Sequence, residues 1–327
     1  MSAFLDKSMG VIFFSLVHLV VLLMAAPLLQ GWIKKVKAFW QMRKGPSIVQ
    51  PYRDIRKFWL KEEVISEHTS WIFLITPAIV LGTSLIASLV VPNPWGWAPM
   101  NIYGSTFWLV ASFGLARFFL ALAGIDAAGT FGGMGTSREL FVAALVEPGF
   151  LLSLMVLAFM SGTTSLPGLV DSLQGISLFE TPRLLALLAL GFMVIAEMGR
   201  IPVDNPDTHL ELTMIHEGML LEYSGRSFAF LNWAEQLKQL LLLQLLALLI
   251  LPGSMGLALG GSVEWGVGIL VQLVLHIGLV AFLGAIFATI ESLNVKVRLF
   301  RVPNFLAAGT ASAVLALVTL WITKGGI

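Results

Sequence analysis

Glu147 and Pro148 stand side by side inside a long apolar run of this 327-residue chain. A carboxylate in the middle of a membrane helix costs about 2.5–3.5 kcal/mol on insertion scales, so one found there tends to serve a path or a partner. Proline removes a backbone hydrogen bond and leaves a free carbonyl beside that carboxyl. Two roles fit Glu147: a station on a proton or ion pathway, or one half of a static ion pair. Glu197 closes another apolar run, and Arg117 lies in the second half of a third. Arg117 could pair with a carboxylate or snorkel towards the interface.

Other polar residues gather between the apolar runs. Gly124–Glu139 carries five glycines with Asp126, Arg138 and Glu139 at one mouth of the helices on either side. It lacks G-K-[ST] and a preceding strand, so it is no phosphate loop, and a flexible connection is its competing reading. A second stretch holds Asp204, Asp207, Glu211, Glu217, Glu222 and Glu235. His209 and His216, seven apart, would share a helical face there, yet no H-E-x-x-H is present to make a zinc hydrolase. His18, His276 and Gln272 fall inside apolar runs. Two such histidines could ligate haem, but packed or hydrogen-bonded histidines are the commoner case. No nucleophilic triad can be assembled, and with no cysteine there is neither a disulfide nor a thiolate-held cluster or metal centre. Any redox chemistry belongs to partners.

The elements that must position these residues follow from composition. Apolar residues make up 57% and charged residues 12% of the chain, against roughly 45–50% and 25% in soluble domains. Mean hydropathy is +0.88. About 20 apolar residues cross the hydrocarbon core as a helix. Eight segments meet that test, at about Met9–Leu29, Trp71–Val91, Ser105–Ala123, Leu140–Ser161, Arg183–Met198, Leu237–Leu251, Gly266–Ile290 and Phe305–Thr323. Continuous apolar runs without alternation exclude barrel strands. The first run, flanked by Lys7, could pass for a signal peptide, but its cleavage site is poor and a basic loop follows at once, so it reads as a retained span. The expectation is an all-α integral membrane protein with about eight spans, forming one membrane domain over 1–327.

Charge sets the orientation. One side holds Lys34, Lys35, Lys37, Arg43, Lys44, Arg53, Arg56, Lys57, Lys61, Arg138, Arg200, Arg226, Lys238, Lys296, Arg298 and Arg301. The other holds Lys7, Arg183 and Lys324. The first side is inner and both termini lie outside. Trp71, Trp95, Trp97 and Trp321 read as interface anchors. The two large inner loops, about 30–70 and 199–236, suit docking of a partner on the cytoplasmic side. Positive-inside bias accounts for the first loop but not for the acidic second one. The basic residues lie between spans, so nucleic acid is no partner.

Three stretches carry a resemblance. Lys44-Gly45-Pro46-Ser47 with Gln50-Pro51-Tyr52-Arg53-Asp54 and Lys57 resembles the first inner loop of the membrane subunit that adjoins the peripheral arm in respiratory complex I and its hydrogenase relatives. Glu197-Met198-Gly199-Arg200-Ile201-Pro202-Val203-Asp204, then Glu211-Leu212 and Glu222-Tyr223-Ser224-Gly225, resembles the loop between that family's fifth and sixth helices. Arg138 with Glu147 nine residues on, and Ala234-Glu235, match further positions. The resemblance spans nearly the whole chain. The first loop is shorter than in the quinone-reducing branch, and the stretch from Glu211 to Glu222 about three residues longer. Both features, with Ser-Arg-Glu-Leu at Ser137–Leu140, are similar to the energy-converting (group 4) nickel–iron hydrogenase branch, which includes formate hydrogenlyase-type complexes.

The resemblance implies that helices two to six form half of an antiporter-like bundle. It implies a non-catalytic subunit of the cell inner membrane that couples redox chemistry in a docked arm to proton or sodium movement. The expected ion pathway runs through Glu147, Glu197, Asp126, Glu139, Glu211 and Glu222. The expected docking residues are Arg138, Arg200, Asp204, Asp207, His209, Glu235, Arg53 and Asp54. Implied partners are hydrogenase-like large and small subunits with a nickel–iron centre, iron–sulfur proteins, antiporter-like membrane subunits and the lipid bilayer. The competing readings are the quinone-site subunit of a complex I-like dehydrogenase, a stand-alone cation or proton transporter, and a purely structural anchor.

Overall fold

A computed structural model describes residues 2–204, 215–251, 265–295, 297 and 299–323, and every described element in it is helical. The long helices are α1 (Ser2–Trp40), α3 (Trp71–Val90), α4 (Ser105–Asp126), α5 (Thr130–Ser161), α7 (Thr181–Glu197), α9 (Gly225–Ile250), α10 (Trp265–Leu293) and α11 (Val302–Thr323). The short helices α2 (Gln50–Trp59), α6 (Leu166–Ser172) and α8 (His216–Leu220) lie between them. Seven helices among the described residues are long and apolar enough to cross a membrane. The eighth expected span is α7, whose 17 residues reach about 25 Å at 1.5 Å per residue, the short end of what spans a bilayer. The chain is a multi-pass, all-helical membrane protein.

Helix boundaries shift in ways that bear on function. The 39 residues of α1 exceed what roughly 30 Å of hydrocarbon requires, so the first inner loop begins as helix as far as Trp40. The chain then turns back along α1. A Cβ added at Gly31 would lie 2.0 Å from the Ile48 carbonyl oxygen, so only glycine admits that approach. α5 begins at Thr130, and the glycine-rich stretch, whose competing reading is a flexible connection, is helix on both sides of a three-residue link. Its glycines serve packing. A Cβ on Gly132 would meet the Gly124 oxygen at 2.5 Å. α9 starts at Gly225, well before Leu237, because helical backbone satisfies its own polar groups wherever the chain enters lipid or protein.

Helices α3, α4, α5, α7 and α11 pack as successive neighbours, with α9 against α3, α7 and α1, while α10 packs on α1 and α9. α9 is the centre of the core. Leu237, Leu242, Leu245 and Leu248 are fully enclosed. Arg183, counted among the outer-side charges, is buried at the start of α7. It donates to the carbonyl oxygens of Leu173 (2.9 Å), Ile176 and Leu249 (2.9 Å), satisfying groups that α9 and the segment after α6 leave open at their ends.

Candidate functional site

Arg117 projects from α4 into the bundle and is buried. Each of its three nitrogens meets a different carboxylate. Nε donates to Glu139 Oε1 at 3.1 Å, Nη1 to Glu147, and Nη2 to both oxygens of Glu197 at 2.6 Å. Glu139 and Glu147 stand two helical turns apart on α5, so both reach one guanidinium. Glu197 is the last residue of α7. From α9, Lys238 donates to Glu197 Oε1 at 2.8 Å and lies 5.4 Å from the Phe113 ring centre. Four helices thus contribute to one cluster.

Two cations face three carboxylates there. With all five ionised the cluster carries one excess negative charge. Exposure divides the carboxylates. The Glu197 side chain is 4% exposed, against 41% for Glu147. Glu147 therefore opens to the flank of the bundle and Glu197 faces inward.

A cleft leads from Arg117, Glu139 and Glu197 of the cluster towards the turn after α7 and the helix α8. Val80, Phe113, Leu120 and Leu231 give it apolar walls, while Asp204, His216, Glu217 and Glu235 bring polar groups to its inner end. Asp204 is buried and accepts from the His216 backbone N–H at 3.3 Å. The His216 Nε2 lies 3.9 Å from Glu235. Tyr223, just beyond α8, stacks on Phe73 with ring centres 4.0 Å apart and donates to the Phe73 carbonyl at 3.0 Å. Burial pushes the Tyr223 hydroxyl well above its ordinary range, and the nearby Asp126 charge acts in the same direction.

The remaining expected residues divide. Asp126 stands apart from the cluster and accepts from the Ser70 N–H at 2.8 Å beside the start of α3. Glu222 is exposed, against Gly129 in the link between α4 and α5. Arg138 is half-buried on α5. Arg200 is buried and turns inward, donating to Gln30 Oε1 (3.0 Å) and Gln239 Oε1 (3.1 Å). Arg53 is exposed on α2, where Asp54 accepts from Gln50 at 2.9 Å. Asp207, His209 and Glu211 lie outside the described residues. His18 donates to the Ser88 carbonyl at 3.0 Å, the ordinary bond of a packed histidine.

Sequence reasoning missed Lys238, counted as a loop charge, and the buried pair Lys37–Glu291. The available signal was helical periodicity. Gln236, Gln239 and Gln244 recur in a leucine-rich stretch at spacings that α9 turns inward.

An all-helical membrane subunit with a buried guanidinium shared among three carboxylates, and a cleft open to one side, is the class that fold and site define. Residues 13–323 match the family model described as NADH dehydrogenase, and the chain belongs to that family. It is 33% identical to formate hydrogenlyase subunit 4 of Escherichia coli (strain K12), over 94% of this chain and 98% of that one. It is 36% identical to hydrogenase-4 component C of the same organism, over 74% and 76%. A subunit of the NADH-quinone oxidoreductase of Rhodospirillum rubrum shares 28% over 67% of this chain and 66% of that one. A chain from the membrane-bound sulfane sulfur reductase, an archaeal respiratory membrane complex, has the same fold. Its TM-score is 0.76 at 21% identity, over 95% of this chain and 99% of that one. The chain is a membrane subunit of the kind shared by energy-converting hydrogenases and complex I-like enzymes.

Proposed function

We propose that this chain anchors the peripheral redox arm of an energy-converting nickel–iron hydrogenase-type complex in the cell inner membrane and couples its electron transfer to proton or sodium translocation. The observation that carries this reading is the Arg117 cluster at the head of a cleft whose inner end is lined by Asp204, His216 and Glu235. A change of charge in an arm docked over that mouth alters the field along the cleft. With one excess negative charge, the cluster answers by taking up or releasing a cation. Glu147, open to the flank, is the station from which that ion passes to antiporter-like neighbours. The nickel–iron centre and iron–sulfur clusters reside in partner subunits, because this chain has no cysteine to hold them.

The test replaces Glu147 or Glu197 by Gln in the complete complex reconstituted in liposomes. The reading expects an assembled complex that pumps less per turnover or turns over slowly. Unchanged pumping in both variants would falsify it. A second reading, a quinone-site subunit of a complex I-like dehydrogenase, draws on the apolar walls of the cleft and the likeness to the NADH-quinone oxidoreductase of Rhodospirillum rubrum. Quinone-dependent turnover, blocked by quinone-site inhibitors, would select it.

A further inference from the structure

Glu291 lies on α10, away from the cleft, and the route described above does not use it. Its buried carboxylate accepts from Lys37 Nζ at 2.8 Å and stands 3.8 Å from Arg200 Nη1. Arg200 itself comes from the turn that follows α7. Through Gln30, Gln239 and Glu291 that single guanidinium touches α1, α9 and α10.

Glu197, three residues earlier, is the helix end from which that turn departs. Gly199 between them takes φ +57°, a conformation glycine adopts at no steric cost. On α9 the adjacent residues Lys238 and Gln239 repeat the division, Lys238 holding Glu197 and Gln239 holding Arg200. Two buried charge clusters are therefore joined by two short stretches of backbone. Their grips differ. Lys37 and Glu291 are in direct contact, whereas Arg200 has one long ionic contact, two bonds to neutral amides and a buried Nε with no partner among the described residues.

From these contacts we infer that Glu291 is a positioning residue for the Glu197 site. Fixed by Lys37, it holds Arg200 by charge, and Arg200 sets the Gly199 turn and so the place of the Glu197 carboxylate between Arg117 and Lys238. Charge attraction at 3.8 Å is strong enough in a low-dielectric interior to bias a guanidinium otherwise held by neutral groups. This inference rests on the coupling role proposed above.

The experiment uses the complete complex in liposomes and reads ions moved per electron pair and the pH profile of coupled turnover. The variants are Glu291→Gln, Glu291→Asp and the charge-balanced double variant Lys37→Gln/Glu291→Gln. The double variant is expected to assemble and transfer electrons, whereas Glu291→Gln alone breaks the buried pair with Lys37 from one side and should assemble in lower yield. The ion ratio should fall about fivefold or more, the scale of a modest coupling energy, with a displaced pH profile that Glu291→Asp largely restores. A double variant with the wild-type ratio and pH profile overturns the inference. So does one that fails to assemble, since Glu291 is then only a strut. Glu147→Gln and Glu197→Gln run alongside. If they uncouple while the Glu291 variants do not, the positioning role alone fails. If neither uncouples, the coupling route itself fails.

Discussion

Arg117 and Glu197, eighty positions apart in the sequence, meet with both carboxylate oxygens 2.6 Å from one guanidinium nitrogen. The contact ties the middle of α4 to the end of α7. It also makes Arg117 the common partner of three acids. Each of those acids is thereby coupled to the others, because a proton added to one changes the share of positive charge left for the rest.

Removing Arg117 is the harshest change the site can receive. Arg117→Met leaves Glu139, Glu147 and Glu197 around the single charge of Lys238. Breaking a buried ion pair from one side costs about 3–5 kcal/mol, most of it here from the enclosed Glu197, since Glu147 is partly open. A marked fall in the yield of assembled complex and in its melting temperature is expected. Arg117→Lys, with charge but no fork, should recover only part of the loss.

Glu147 and Glu197 should differ when neutralised. Glu147→Gln removes an acid on the bundle flank but leaves Arg117 its bonds to Glu139 and Glu197, so it should lower ion movement at a cost in stability of about 0.5–1 kcal/mol. Glu197→Gln leaves Arg117 and Lys238 facing a neutral amide and should lower stability by about 1–3 kcal/mol as well as pumping. Melting curves and pumping assays on the same preparations separate the two; equal losses of stability would contradict the assigned exposures.

Gly225 is a second lever. It opens α9 at φ +52°, and an added Cβ would lie 2.9–3.0 Å from the backbone of Lys61, Glu62 and Glu63. Gly225→Ala should cost about 1–3 kcal/mol from strain and crowding. It should also loosen the inner segment before α3, which Ser224 fastens by accepting from the Val64 N–H at 2.8 Å. Faster limited proteolysis within 60–66 is the readout.

Alkaline stability tests Tyr223. Its hydroxyl is held above the ordinary 10.0 by burial, so the folded protein keeps the proton at a pH where the unfolded chain loses it. The stability this contributes is fully present below about pH 10 and is lost as pH rises through the folded value. Tyr223→Phe should lower stability near neutrality by about 1 kcal/mol through loss of the bond to Phe73. It should also flatten the decline in melting temperature above about pH 10. An unchanged decline would assign it to other groups.

Sequence alone determined the membrane class and the spans, because burial of backbone in lipid leaves few solutions and each leaves a long apolar run. It also singled out Glu147 and Glu197 by the cost of carboxylates inside or closing such runs, and noted Glu139 only with Asp126 and Arg138 at the mouth between two of them. The boundaries were less legible. The polar starts of α5 and α9 read as loops, since their charges face a protein interior that hydropathy cannot distinguish from water. Only the tertiary structure decided that Arg117 gathers those three acids, that Lys238 joins them, and that Arg200 turns away from the surface towards Gln239 and Glu291. These are contacts between helices brought together by packing. One sequence records the charge each residue carries; which charge it faces depends on the helix that packs beside it.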